Sequence, residues 1–240
     1  MRRKVHVIGH RGACAYAPEN TIYSFDLALK MCVDGLETDI RMTKDEVLVL
    51  FHNDTLERTS NGTGNLENFT YEELKKMDFG AWFSSDFIGA KIVQLSEFLS
   101  LYGKRVNLDL EIKANNIEVK LLEEIKEAGL DYSDYTITSF NLQSLMNIKM
   151  LNNAVRTGFL TGNCSTDTVN LCIEKGMDCI CPHASTLNDE VVCYAHSKGI
   201  YVRAWGVANI DLMKTVYHSG SDGMTIDFPD QLVTYISEQF

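Results

Sequence analysis

The chain has 240 residues, 45% hydrophobic and 23% charged, the composition of a globular protein long enough to bury a sizeable core without staples. Its 22 Lys+Arg against 33 Asp+Glu leave a net charge of −11, a surface that repels nucleic acid and anionic lipid. An anionic substrate fits such a chain where a metal ion or a few local cations invert the field inside one pocket.

The start, Met1-Arg2-Arg3-Lys4, is basic like the head of a signal peptide. The apolar run at 5–8 then stops at Gly9-His10, too short and too polar for a signal core. No apolar run approaches the roughly 20 residues of a membrane span, so stable membrane insertion is not expected and the expected location is cytoplasmic. Beyond the start, short β-branched runs alternate with amphipathic stretches. Strands are expected at 5–8, 36–40, 47–51, 106–112, 135–138, 155–160, 178–181, 200–204 and Gly223–Ile226. Helices are expected at 21–33, 117–128, Leu142–Leu151, 166–175, Asp189–Ser197 and Ile210–His218. This rhythm means βαβ units and a mainly parallel sheet; one TIM-type (β/α)8 barrel takes about 250 residues. The nine candidate strands exceed that barrel by one. The runs 36–40 and 47–51 are joined by a link too short for a parallel crossover, so an antiparallel hairpin accounts for the surplus.

The rhythm breaks between residues 53 and about 103, where Asn61-Gly62-Thr63-Gly64 is followed by a capping-box start at Thr70-Tyr71-Glu72-Glu73 and an aromatic loop with Phe79, Trp82, Phe83 and Phe87. We read this as an insertion in a single catalytic barrel domain, the aromatics forming its own small core rather than a lid. The seven cysteines are odd in number and dispersed. Cys32, Cys172 and Cys193 read as small buried residues, and Cys179 and Cys181 lack the companions that a zinc site needs.

Polar residues mark the ends of the strands. Gly9-His10-Arg11-Gly12, Glu37-Thr38-Asp39, His52-Asn53-Asp54, Asp109-Leu110-Glu111-Ile112-Lys113 and Arg203-Ala204-Trp205 all fall there, on the face where parallel barrels carry reactive groups. Strand alternation places Glu37 with Asp39, and Asp109 with Glu111 and Lys113, inside the barrel while the leucines face the helices. Buried acids need an offset. One divalent cation on Glu37, Asp39 and Glu111 supplies it, and oxygen ligands favour Mg²⁺ or Ca²⁺ over zinc. The alternative is a structural network in which the acids pair with Arg11, Arg41 and Lys113. His10 and His52, at two strand ends of the same mouth, form a plausible acid–base pair. His183 could line the mouth, His6 reads as structural, and His196 and His218 as surface residues.

These motifs together resemble the glycerophosphodiester phosphodiesterase family. The resemblance begins at Gly9-His10-Arg11-Gly12 with Pro18-Glu19-Asn20-Thr21 and continues through Glu37-x-Asp39, Phe51-His52-Asn53-Asp54 and Thr55-Leu56-x-Arg58-Thr59. Leu110-Glu111-Ile112-Lys113, Thr138-Ser139-Phe140-Asn141, Val202-Arg203-Ala204-Trp205 and Asp222-Gly223-Met224-x-x-Asp227-x-Pro229 complete it. It implies a barrel binding one divalent cation through Glu37, Asp39 and Glu111, with His10 and His52 as the acid–base pair. Arg11 and Lys113 would hold phosphate oxygens, and Trp205 would wall the glycerol part. Two departures stand out: Trp205-Gly206-Val207-Ala208 replaces the usual Trp-Thr-Val-Asn, and the proline usual before the family's post-insertion helix is replaced near Val93.

The implied reaction converts a small-molecule glycerophosphodiester and water into sn-glycerol 3-phosphate and an alcohol. The substrate's own 2-hydroxyl attacks, His52 is the base and His10 the acid of the first step, and water then opens a cyclic phosphate. Glu19 and Asn20 either support His10 or Arg11 or cap the following helix; Asp54 either supports His52 or shapes its turn; Asp109 is a candidate partner of Lys113. Two rival readings keep the motifs: a lysophospholipase D-like phosphodiesterase acting on lysolipids, and a non-catalytic module that binds glycerophosphodiesters.

Overall fold

The computed structural model describes residues 5–239; the basic start at 1–4 lies outside them. Strand and helix alternate as β1 (His6–His10), α1 (Ile22–Lys30), β2 (Gly35–Met42), β3 (Leu48–Leu50), α2 (Tyr71–Leu74), α3 (Leu95–Tyr102), β4 (Asn107–Ile112) and α4 (Glu118–Glu127). They continue as β5 (Tyr135–Ser139), α5 (Leu142–Leu151), β6 (Thr157–Thr161), α6 (Thr166–Glu174), β7 (Cys179–Pro182), α7 (Asp189–Ser197), β8 (Tyr201–Ala204), α8 (Ile210–His218), β9 (Gly223–Ile226) and α9 (Pro229–Ser237). The sheet order is β1-β9-β8-β7-β6-β5-β4-β2-β3, and pairing of β1 with β2 closes eight parallel strands into a (β/α)8 barrel. The surplus strand is β3, which lies antiparallel on β2 with Ile40 opposite Leu50.

Side-chain alternation builds the layers. Leu36 and Ile40 of β2 and Leu108, Leu110 and Ile112 of β4 point outward into the main core, where they meet Phe25 of α1 and Phe98 and Tyr102 of α3. Their neighbours Glu37, Asp39, Asp109 and Glu111 are buried inside the barrel. Several helices start on a side-chain cap: Thr21, Asn141, Ser165, Asn188 and Asn209 each accept a backbone N–H of the first turn. The sharp return after β1 requires Gly12, whose φ is +87° and whose added Cβ would meet the Ser24 backbone at 2.4 Å.

Between β3 and α3 the chain builds a satellite cluster in which Val49, Phe51, Leu56, Leu66, Leu74, Phe79 and Ile92 are buried together. Thr70 and Glu73 form the expected capping box at α2. Phe79 meets Phe51 edge-on at 5.9 Å, whereas Trp82, Phe83 and Phe87 form a chain of edge contacts nearer the surface. The stretch read as an insertion to about 103 includes α3, but α3 packs into the main core through Leu95, Phe98, Leu99 and Tyr102. That spacing of three, four and seven is a helical face, obscured in sequence because Gln94 provides no side-chain cap. Helix α9, starting on Pro229 at its first turn, was not expected.

All seven cysteines are free thiols; Cys172 is buried as expected, but Cys32 and Cys193 are exposed. Cys32 sits in the turn after α1 with φ of 61°, and Cys193 is on the outer side of α7. Among the described residues no helix is long and apolar enough to cross a membrane.

Candidate active site

Register brings the acidic residues together. In the β1–β2 pair His10 lies opposite Glu37, and in the β2–β4 pair Glu37 lies opposite Asp109 and Asp39 opposite Glu111. Glu37, Asp39 and Glu111 therefore converge near the strand C-termini, each offering an oxygen within 4.8 Å of the others. Asp39 Oδ1 and Glu111 Oε1 are buried and accept no well-directed hydrogen bond; their contact is the Lys113 ammonium, at 3.4 and 2.6 Å. Three converging carboxylates, two of them with a buried oxygen that accepts no hydrogen bond, fit a hard divalent cation.

Burial first, and then Asp39 and Glu111, push the Glu37 carboxyl well above the ordinary range. Burial and the Asp39 charge raise Glu111 from 4.5 to about 7. Burial would raise Asp39 as well, but Arg11 and Lys113 overcome it and hold that carboxyl well below the ordinary range. Arg11 Nε lies 3.0 Å from Asp39 Oδ2, and Lys113 bridges Asp39 and Glu111. The acid cluster thus meets Arg11 and Lys113, as the network alternative required. Arg41 instead reaches Asp54 at 2.6 Å and the His52 carbonyl at 2.8 and 3.0 Å.

The two histidines come from neighbouring segments, His10 from the end of β1 and His52 from just after β3, both of which pair with β2. His10 Nδ1 lies 2.5 Å from Asp227 Oδ1, which leaves Nε2 directed toward Glu37, 4.0 Å away. His52 Nδ1 lies 2.7 Å from Asn53 Oδ1. An amide oxygen accepts only, so Nδ1 carries the proton and Nε2 keeps its lone pair. Burial favours the neutral ring and lowers the His52 pKa from the ordinary 6.5, against the pull of Asp39 toward the charged form.

A cavity of about 340 Å³ opens at this mouth, lined by His10, Arg11, Glu37, His52, Glu111 and Lys113 on the polar side. Phe140, Leu160, Trp205 and Val207 line the apolar side. Trp205 donates its indole N–H to the Thr161 carbonyl at 3.1 Å and stands edge-on to both Phe140 and His183. His183 lines the mouth and packs over Gly206, where an added Cβ would meet its Nε2 at 2.5 Å. None of Phe79, Trp82, Phe83 or Phe87 lines this cavity.

The supporting contacts differ from expectation in particular ways. Glu19 holds Arg11 at 2.9 Å and takes a two-pronged bond from Arg58, at 2.6 and 2.7 Å. Asn20 donates to Asp39 Oδ2 and accepts from Thr38, while Thr21 is the helix cap. Asp54 does not reach His52: its carboxylate is taken by Arg41, and Asn53 fills that place. Asp109 pairs with Arg203 at 2.5 Å rather than with Lys113, because Lys113 lies beyond the end of β4 and bends toward the acid cluster. His196 is half-buried on Asp222 at 2.9 Å rather than a surface residue. His6 bonds the Tyr201 hydroxyl, and His218 meets Tyr235. No role in the site was assigned to Asp227, Asn53, Arg58 or Phe140 from the sequence. All four sit in the motifs quoted above, which is the signal that could have found them.

Comparison with known proteins then decides the family. The sequence profile of the glycerophosphoryl diester phosphodiesterase family matches residues 10–231. The chain belongs to this family. It is accordingly an enzyme of the phosphoric diester hydrolase class. A glycerophosphodiester phosphodiesterase of Caldanaerobacter subterraneus subsp. tengcongensis is 33% identical over 239 residues, covering 97% of this chain and 98% of that one. A phosphodiesterase of Oleispira antarctica, solved in complex with the product sn-glycerol-3-phosphate, superposes with a TM-score of 0.89 at 27% identity, covering 97% of this chain and 96% of its own. A glycerophosphodiester phosphodiesterase of Agrobacterium tumefaciens shares the fold, with a TM-score of 0.87 at 23% identity over 96% of this chain and 100% of that one.

Proposed function

We propose that this protein hydrolyses glycerophosphodiesters to sn-glycerol 3-phosphate and an alcohol, with one divalent cation, Mg²⁺ or Ca²⁺, held by Glu37, Asp39 and Glu111. The observation that carries this reading is the convergence of two fixed histidines, two side-chain cations and the Glu37 and Glu111 carboxylates on one cavity at the strand ends, with Asp39 buried against them. The product-bound relative from Oleispira antarctica supports it.

When bound, the cation supplies neutralisation of phosphate charge and acidification of an attacking hydroxyl. The chain's own residues do the rest. Arg11 presents a planar fork and Lys113 a point charge to the phosphate oxygens. Trp205, braced by Phe140, walls the glycerol part. His52, neutral with its Nε2 lone pair free, takes the proton of the substrate's 2-hydroxyl. His10, its charge compensated by Asp227 at 2.5 Å, gives a proton from Nε2 to the leaving alcohol. The roles reverse when water opens the cyclic phosphate. The high effective molarity of a neighbouring hydroxyl makes a phosphodiester without one a poor substrate.

The deciding experiment is release of sn-glycerol 3-phosphate from glycerophosphocholine by chelator-stripped protein, with Mg²⁺ or Ca²⁺ restored separately. Metal-dependent release is expected, and the better ion names the cofactor. No release with either ion from folded protein overturns the reading.

A further inference from the structure

On the far side of the His10 ring from the acid cluster lies a set of donors that the proposed reaction does not use in full. Cys14 Sγ is 4.0 Å from His10 Nδ1, and Asp227 Oδ1 is 2.5 Å from the same nitrogen. All three donor atoms lie within 4.8 Å of one another. The fold builds this arrangement in advance. Arg11 and Gly12, with φ of 52° and 87°, turn the chain so that residue 14 comes back against His10. The Ala15 N–H donates to the Asp227 carbonyl at 3.0 Å and ties that turn to the end of β9.

Thiolate, imidazole and carboxylate together suit a borderline cation such as Zn²⁺, not Mg²⁺ or Ca²⁺. Bonds of about 2.0–2.3 Å at tetrahedral angles place donors roughly 3.3–3.6 Å apart, within small adjustments of the separations seen here. The His10 and Asp227 side chains are 28% and 49% exposed, so the cluster opens to solvent and leaves room for a water as fourth ligand.

We propose that His10, Cys14 and Asp227 form a second, inhibitory site for a borderline divalent cation such as Zn²⁺, distinct from the Glu37–Asp39–Glu111 cluster. On binding, the Cys14 thiol proton and the His10 Nδ1 proton leave to solvent, and Nε2 keeps its own proton. A ring held through Nδ1 has no lone pair with which to accept a proton, and it is a weaker acid than an imidazolium. Burial, and then Asp227, push the Cys14 thiol far above its ordinary pKa, so without such a metal it stays a neutral thiol. The site stands on its own geometry; its inhibitory effect rests on the role proposed for His10.

The test titrates protein saturated with Mg²⁺ or Ca²⁺, using Co²⁺ as a spectroscopic probe and Zn²⁺ as an inhibitor of glycerophosphocholine hydrolysis. A sulfur-to-cobalt charge-transfer band that Zn²⁺ displaces is expected, and it is lost in both Cys14→Ser and Cys14→Ala. Both variants keep their basal activity, and each needs at least about tenfold more Zn²⁺ for half-inhibition, since even supporting contacts of metal sites are worth that much. Cobalt binding without the thiolate band, an unchanged band in the variants, or equal Zn²⁺ sensitivity in all three proteins overturns the proposal. A Cys14-dependent band in protein without hydrolase activity upholds the site and overturns the proposed function instead.

Discussion

The barrel interior holds buried carboxylates at two levels that share the strands β2 and β4 but are satisfied in opposite ways. At the lower level Asp109 is closed off: Arg203 donates to it at 2.5 Å and to Thr225 at 2.8 Å, and the guanidinium is itself buried. At the upper level Glu37, Asp39 and Glu111 share the two cationic partners Arg11 and Lys113, and two of their buried oxygens are left without a proper donor. The lower pair is complete as it stands and holds the strands together. The upper set has three carboxyl groups to two cations and leaves buried oxygens without donors, the condition of a group arranged for something that arrives later. Burial alone does not distinguish structural from functional acids; the completeness of their partners does.

The largest expected effect falls at the upper level. His10→Ala or His52→Ala should lower kcat by at least about 10²–10³-fold. Thermal melts should be unchanged, because neither ring fills the core; a matching loss of Tm would erase the contrast between the levels. The lower level should behave conversely. Asp109→Asn leaves the Arg203 guanidinium buried without its counter-charge and should cost about 3–5 kcal/mol in denaturant unfolding. The double replacement Asp109→Leu with Arg203→Met should recover most of that loss.

A third effect is the response of the upper level to pH. Glu37 and Glu111 bind protons more tightly in the folded chain than in the unfolded one, so they stabilise metal-free protein below their ordinary pKa. That contribution is lost as pH rises from 4.5 to about 7, the range between the ordinary and folded values of Glu111. Tm of metal-free protein should fall across this window, Mg²⁺ or Ca²⁺ should restore it at the upper end, and Glu111→Gln should flatten the slope. A fourth concerns rate. Because burial holds His52 below 6.5, the acid limb of kcat/KM assigned to the base should have its midpoint below that value. The smallest effect is expected for Arg58→Ala, which loosens Glu19 and Asn53 together and should cost about tenfold in kcat or less.

Much of this was legible before the fold was seen, for reasons the residues make plain. Strict alternation in Glu37-Thr38-Asp39 and Asp109-Leu110-Glu111 set which side chains face inward, and the short link before Val47 identified the hairpin. What stayed hidden was long-range. The bond from Asp227 to His10 spans 217 positions, and no local pattern encodes it. Asp109 illustrates the same limit. Its spacing from Lys113 suggested a partner on the same strand, but Lys113 leaves the strand, and the counter-charge comes from Arg203, 94 positions away. Helix α3 was signalled only through the resemblance, as the helix after the insertion: its apolar face was present, but a turn-rich, aromatic stretch led into it without a capping signal.

The hairpin has a consequence for how the enzyme fails. Strand β3 is outside the barrel, and the chain leaves it through Phe51, which is anchored in the satellite cluster with Leu56, Leu66 and Phe79, directly before His52. One histidine therefore rides on the barrel wall and its partner on a small annex with its own few buried side chains. Regions with few buried apolar contacts open at lower free energy than the whole molecule. Heat or mild denaturant should accordingly unseat His52 while the eight-stranded wall still stands, so that inactivation precedes melting. Amide exchange would then show the annex opening at the temperature where turnover is lost.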